Sequence, residues 1–308
     1  MARLKLILRL ARLHFLFFGF MIYLMGYLLA LSNGASPNIS QFVFGYVVFG
    51  CAQLSVSFSN DYFDRKADVN SISTAFSGGS KVLVEYPQLE SLALKTAIIL
   101  IVASAIAAAL FTLIFDYPFW FLIFALLGAL LGWFYTAPPL KFAYRKLGEL
   151  ATVIAVGFMM PGIGYFAAFG SIDMFFAVFV FPLSCYGFLF ILTVEMPDID
   201  SDRAGGKINA LVKWGVKKGL RVSFVSALAG SLSLFVIHFS GILLGKLDVG
   251  LLAIFSVLPM AGVATGFHTD LNSRQNLVRQ VAINMTTIVL FLLLFDSTIF
   301  AQVAIAGS

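Results

Sequence analysis

The chain has 308 residues, 60% hydrophobic and 11% charged, with a mean hydropathy of +0.97. A soluble domain carries about 25% charged residues; here 20 Lys and Arg with 15 Asp and Glu cannot solvate a soluble chain of this length, and 34 Phe exclude disorder. The two cysteines, Cys51 and Cys185, lie in apolar runs without ligand-spaced partners, which excludes a disulfide scaffold. What remains is an all-α polytopic membrane protein, because the apolar runs are about 18–25 residues long rather than the roughly 10 of a barrel strand.

Runs over 13–31, 41–58, 91–115, 118–137, 150–170, 173–194, 222–242, 249–267 and 281–303 predict nine spans. The first is too long for the apolar core of a signal peptide, which is about 7–15 residues. Arg3, Lys5, Arg9 and Arg12 precede it. Arg65, Lys66, Lys81 and Lys95 border the loop between spans 2 and 3. Lys141, Arg145 and Lys146 follow span 4. Arg203, Lys207, Lys213, Lys217, Lys218 and Arg221 follow span 6, and Arg274 and Arg279 follow span 8. All but Lys246 of the 20 basic residues thus fall on one side. The positive-inside rule makes that side cytoplasmic, so the N-terminus is expected inside and the C-terminus outside. The formal charge of +5 is thereby explained by topology and gives no reason to expect nucleic acid as a partner; the lipid bilayer is the expected surrounding.

The acids follow the same partition. Span 2 runs into Asn60-Asp61-Tyr62-Phe63-Asp64-Arg65-Lys66-Ala67-Asp68, in which Asn60, Asp64 and Asp68 share a helix face. Span 6 runs into Glu195-Met196-Pro197-Asp198-Ile199-Asp200-Ser201-Asp202, where Asp198 and Asp202 repeat the four-residue step. Like charges one turn apart repel. Two such rows at one rim suggest a cationic counterpart, and Mg²⁺ suits carboxylate and amide oxygens completed by water and phosphate. Solvated acids paired with Arg65, Lys66 and Arg203 are the alternative for either row alone. The two rows stand about half a chain apart. That suggests a single domain over 1–308 built from pseudo-repeats of about 1–147 and 148–275, with an added helix at about 279–303. Rotation about the membrane normal would turn both rows into a central cavity open to the cytoplasmic side.

Other polar groups crowd the same rim. Ser77-Gly78-Gly79-Ser80-Lys81 offers backbone N–H groups and an ammonium, without the spacing of a P-loop. Tyr135-Thr136-Ala137-Pro138-Pro139-Leu140-Lys141 closes span 4 with a phenol and an ammonium, and Lys207 follows the second acid row. A flexible linker and a membrane-interface tyrosine are the alternatives for the first two. Asp296 lies inside span 9, where a charge is expensive. His14, His238 and His268 are scattered and suggest no triad.

The motif Asn60-Asp61-x-x-Asp64-x-x-x-Asp68 resembles the NDxxDxxxD motif of the UbiA superfamily of intramembrane prenyltransferases, and Asp198-x-x-x-Asp202 resembles its second motif. The stretches from Phe76 to Leu83 and from Tyr135 to Glu149 look most like the menaquinone-type branch, the 1,4-dihydroxy-2-naphthoate polyprenyltransferases. The Arg-Pro pairs that often follow the first motif in hydroxybenzoate, haem and archaeal ether-lipid branches are missing after Asp68.

The resemblance implies transfer of a polyprenyl group from a diphosphate, such as geranylgeranyl diphosphate, to a small, often aromatic acceptor in lipid-quinone biosynthesis. It implies two or more Mg²⁺ ions, with Mn²⁺ as a possible substitute. Asn60, Asp64, Asp198 and Asp202 would hold metal, with Asp61 and Asp68 binding a further ion or orienting the others. Lys81, Lys141 and Lys207 would take phosphate oxygens, and the Tyr135 ring would face the allylic cation. The alternatives are an ether-lipid prenyltransferase with a glyceryl phosphate acceptor and, from another class, a cation-coupled transporter. A transporter is expected to place acids near the bilayer midplane, whereas these lie at one rim.

Overall fold

The computed structural model describes residues 2–69 and 78–306, and the described residues form helices and turns without a β-strand. Ala2–Ala11 forms a short basic helix, α1. Arg12 then adopts a left-handed conformation (φ 45°), turning the chain into α2 over Leu13–Ser32. Asn38 caps α3, its side chain accepting from the Gln41 N–H at 3.1 Å. The 30-residue α3 runs unbroken from Ile39 to Asp68, so the first acid row does stack on one helix face. Then come α4 (Val82–Glu85), α5 (Glu90–Ile114), α6 (Trp120–Trp133), α7 (Gly148–Phe169) and α8 (Met174–Glu195). Pro197 breaks α8 through a 3₁₀ turn, Met196–Asp198, before α9 (Ile199–Ala204). The rest is α10 (Ala210–Trp214), α11 (Val216–Ser240), α12 (Gly250–His268) and α13 (Arg274–Ala306).

Among the described residues, eight helices are long and apolar enough to cross a membrane. The fourth expected span differs. α6 has 14 residues, about 21 Å at 1.5 Å per residue, short of a 30 Å hydrocarbon core. Apolar composition continues through Ala137, but the helix ends at Trp133, and turns lead to Pro138 and Pro139. A hydropathy window follows the composition and misses the end of the helix.

The helices close on one another. α2 packs on α3, α7 and α13, α7 on α8, α8 on α11, α11 on α12, and α12 on α13. α3 also packs on α5 and α6. Small residues allow the closest of these contacts: a Cβ on Gly164 would stand 2.1 Å from the Tyr23 carbonyl oxygen, and one on Gly26 would stand 1.7 Å from that of Pro161. α7 contains a π-helical turn over Ala155–Met159. Pro161 begins the next turn and has no N–H to return to Gly157, which loosens the ladder there.

The packing leaves a cavity of about 360 Å³ walled by α2, α3, α6, α7 and α8. Val48, Phe49, Phe124 and Ile163 line its apolar depth, and Asp64, Asp68, Asp198 and Asp202 line its polar end.

Candidate active site

Each acid row hangs from a long helix and is held by groups distant in sequence. Asn60, Asp64 and Asp68 line the cavity. Asn60 accepts a hydrogen bond from the Thr136 hydroxyl at 2.8 Å. Asp64 accepts from the Tyr144 hydroxyl at 2.8 Å and pairs with Lys207 at 2.9 Å. Asp61 is buried but outside the cavity lining; Arg12 pairs with it at 2.6 Å, and the Ser80 hydroxyl also donates to it. In the second row, Asp198 accepts from the Gly78 N–H at 3.0 Å through Oδ2. Asp202 accepts from the Asn209 amide at 2.7 Å and lies 3.5 Å from the Lys207 ammonium.

Lys207 therefore joins the rows, one oxygen from each. Gly206, with φ of +78°, turns the chain back after α9 so that this side chain re-enters the site. Burial opposes the Lys207 charge, but Asp64 and Asp202 outweigh it and hold its pKa well above the usual lysine range. Tyr144, beneath the ammonium at 5.8 Å, has its pKa pushed up by burial and by Asp64.

Tyr135 lines the cavity, and burial followed by the charge of Glu195 pushes its pKa up. The two remaining lysines lie elsewhere: neither Lys81 nor Lys141 belongs to the cavity lining. Lys81 donates to the backbone carbonyl of Asp68, and the Lys141 ammonium sits 5.5 Å above the Tyr144 ring. Of the glycine loop, Ser77 lies outside the described residues, as does Phe76 of the neighbouring stretch, while Gly78 and Gly79 line the cavity.

Two carboxylate oxygens in the lining, Asp198 Oδ1 and Glu195 Oε2, are buried without a hydrogen-bond partner among the described residues. No three Asp, Glu, His or Cys side chains of the described residues converge as a preformed cation cage. A hard divalent ion needs only one or two carboxylates if water and phosphate complete its shell. The donors present fit that mode, with Asp198 Oδ1 unengaged and Asp64 and Asp202 drawn toward one cation already.

A carboxylate-rimmed cavity with an apolar depth suits an amphiphile carrying an anionic head, and comparison with known proteins agrees. The UbiA prenyltransferase family model matches residues 19–293. The chain belongs to that family. It is 27% identical over 256 residues to a 1,4-dihydroxy-2-naphthoate octaprenyltransferase of Bacillus subtilis (strain 168), covering 82% of this chain and 78% of that one. A UbiA homologue of Archaeoglobus fulgidus bound to GPP and Mg²⁺ superposes with a TM-score of 0.66 at 16% identity, covering 96% and 99% of the two chains. An apo UbiA homologue of Aeropyrum pernix K1 gives 0.65 at 16% identity, covering 92% and 97%. A digeranylgeranylglyceryl phosphate synthase gives 0.66 at 18%, covering 97% and 99%.

As a UbiA-family prenyltransferase, this chain is an enzyme embedded in a membrane. Several residues of its polar end escape motif reading. Arg12 reaches Asp61 from 49 positions away, and Tyr144 reaches Asp64 from 80. Glu149 accepts from the Ala210 N–H and so ties α7 to α10. The one legible signal was local: Tyr144 and Glu149 fall in the stretch after α6 already singled out with Tyr135.

Proposed function

We propose that the chain transfers a polyprenyl group from its diphosphate to a hydroxy-aromatic acceptor of the dihydroxynaphthoate kind, in lipid-quinone biosynthesis. One observation carries the reading: two acid rows from different parts of the chain meet across Lys207 at the polar end of an apolar cavity. The naphthoate-specific relative supports the acceptor class, and the Archaeoglobus homologue bound to GPP and Mg²⁺ supports the diphosphate and metal. Mg²⁺, two or more ions or Mn²⁺ in their place, would be held by Asn60, Asp64, Asp68, Asp198 and Asp202. When bound it neutralises charge on the leaving diphosphate.

The chain's own residues do the rest. Lys207 lies where it can pass from carboxylates to phosphate oxygens, and Arg12 holds Asp61 so that the first row keeps its place. Tyr135 presents its ring at the cavity wall, where an allylic cation is stabilised by a π face. Phe49, Phe124 and Ile163 keep water from the prenyl chain. The partition of Lys and Arg supports a cytoplasmic polar end, with the N-terminus inside and the C-terminus outside. The half-chain separation of the rows supports two repeats.

Purified protein incubated with labelled geranylgeranyl diphosphate, Mg²⁺ and a panel of aromatic and glyceryl phosphate acceptors tests this. Prenylated naphthoate is the expected product, made only with a divalent ion. Prenylation of glyceryl phosphate alone would move the chain to the ether-lipid branch, and undiminished turnover in EDTA would remove the metal.

A further inference from the structure

Glu195 belongs to neither aspartate row, yet it stands in the cavity wall. It ends α8 one turn before Asp198, is 9% exposed, and its Oε2 has no partner among the described residues. A buried carboxylate oxygen left without a donor is destabilising by about 1–3 kcal/mol. Such an atom is rare in a folded protein and calls for a reason, a ligand donor being one.

The neighbouring wall says which kind. Thr152, Ala155 and Val156 of α7 line the same cavity beside Tyr135. The wall includes the π-helical turn of α7, a distortion frequent at functional sites. Small apolar side chains and a tyrosine ring suit a flat aromatic body. The charged side chains that line the cavity with Glu195 are Asp64, Asp68, Asp198 and Asp202 against Arg12 and Lys207, four carboxyl groups to two cations. An anionic oxygen brought to Glu195 would meet repulsion, whereas an O–H would satisfy it.

We propose that Glu195 receives the hydroxyl of the aromatic acceptor, the hydroxyl donating to Oε2 while the ring lies against Tyr135 and the π-helical turn. The site then selects acceptors that present a hydrogen-bond donor at this wall and rejects those presenting phosphate. The proposal rests on the prenyl-transfer reading above and adds the residue that recognises the second substrate.

The test pairs a substrate change with a side-chain change. Binding of 1,4-dihydroxy-2-naphthoate and of 1,4-dimethoxy-2-naphthoate is measured by calorimetry on full-length protein in detergent, with transfer from geranylgeranyl diphosphate assayed separately. Wild type should favour the dihydroxy compound by at least about tenfold, the cost of leaving a buried acceptor oxygen unsatisfied. Glu195→Met keeps the length and removes the acceptor, and should reduce the preference to about threefold or less. Glu195→Gln keeps an oxygen acceptor and should retain most of the preference. An active Glu195→Met enzyme with unchanged preference overturns the proposal, as does a Glu195→Gln enzyme that loses as much as Glu195→Met. A wild type that prenylates no aromatic acceptor overturns the reading beneath it and the proposal together.

Discussion

The two ends of α2 make opposite use of polar groups. At its N-terminal end, Arg12 borders a cavity where carboxylates outnumber cations and Asp198 and Glu195 each keep an oxygen without a partner among the described residues. At the other end, about 30 Å away at 1.5 Å per residue, Asn33 donates to Tyr165 and Asp173, both at 2.7 Å. There the Tyr165 hydroxyl donates to Asp173 at 2.7 Å, and Lys246 donates to Asn33 at 2.6 Å. That second network is closed, each donor meeting an acceptor, and it ties α2, α7, α8 and the loop before α12 together. A closed network stabilises; an open one holds capacity for a ligand. Polar groups at the two ends thus serve different purposes, and the satisfaction of their hydrogen bonds marks the difference.

The largest effect expected is the loss of transfer when the open end is cut. Asp64→Ala and Asp198→Ala should each lower kcat by at least about 10³-fold, since charge stabilisation of the leaving group is the main contribution at such a site. Asp198→Ala should lower the unfolding temperature little, whereas Asp64→Ala also gives up the Tyr144 hydroxyl and the Lys207 pair and should lower it more. Steady-state transfer and thermal unfolding in detergent, run on the same samples, check both halves. Retained activity in either variant would make the acid rows structural.

Lys207 comes next. Lys207→Met leaves Asp64 and Asp202 facing each other without their shared cation and should reduce kcat/KM by roughly 10²–10³-fold. It should also alter pH stability in a defined direction. The Lys207 pKa is raised above its ordinary 10.5, so its stabilisation is complete below that value and is lost only as pH rises beyond it. Wild type should therefore hold its unfolding temperature to about pH 10 and then fall more steeply than Lys207→Met. Parallel curves for the two proteins would contradict the pairing.

The closed end should show the reverse pattern. Asp173 accepts from Asn33, Tyr165 and, at 3.1 Å, the Phe176 N–H that it caps. Asp173→Ala leaves the buried Tyr165 hydroxyl without its acceptor and removes a helix cap, together about 2 kcal/mol. For a chain of this size that corresponds to roughly 5 °C in unfolding temperature. Transfer by the folded protein should stay within about twofold. A loss of kcat here comparable to that of Asp64→Ala would mean that the two ends are coupled.

How much of this was legible beforehand depends on the range of each contact. Asn60, Asp64 and Asp68 share a face because α3 is continuous, and a four-residue step reports that directly. Asp198 and Asp202 kept their relation across a break that Pro197 announces. The end of α6 was hidden, because Phe134 and Tyr135 are as apolar in composition as the helix before them. The partners were hidden too: Arg12 to Asp61 and Tyr144 to Asp64 are created by packing, and no periodicity encodes them. Unpartnered oxygens are invisible in sequence altogether, since Glu195 becomes one only after its neighbours have found other partners.

The smallest expected effect separates the lysines by position. Lys81, Lys141 and Lys207 all lie on the basic side of the chain, and charge alone would give them the same role. Their settings differ: the Lys207 ammonium lies between two carboxylates, Lys81 is turned to the Asp68 carbonyl, and Lys141 rests on the Tyr144 ring outside the cavity lining. Lys141→Ala removes an ammonium that pairs with no carboxylate among the described residues, and a half-buried cation–π contact contributes about 1 kcal/mol. Its kcat/KM should fall by no more than about fivefold, through small shifts of Tyr144 and hence of Asp64. Tyr144→Phe, which removes the hydroxyl donated to Asp64 at 2.8 Å, should reproduce or exceed that loss, and combining the two should add little, because both act through one side chain. Full additivity in the double variant would give Lys141 a phosphate contact of its own, and the distinction between cations inside and outside the cavity wall would fail.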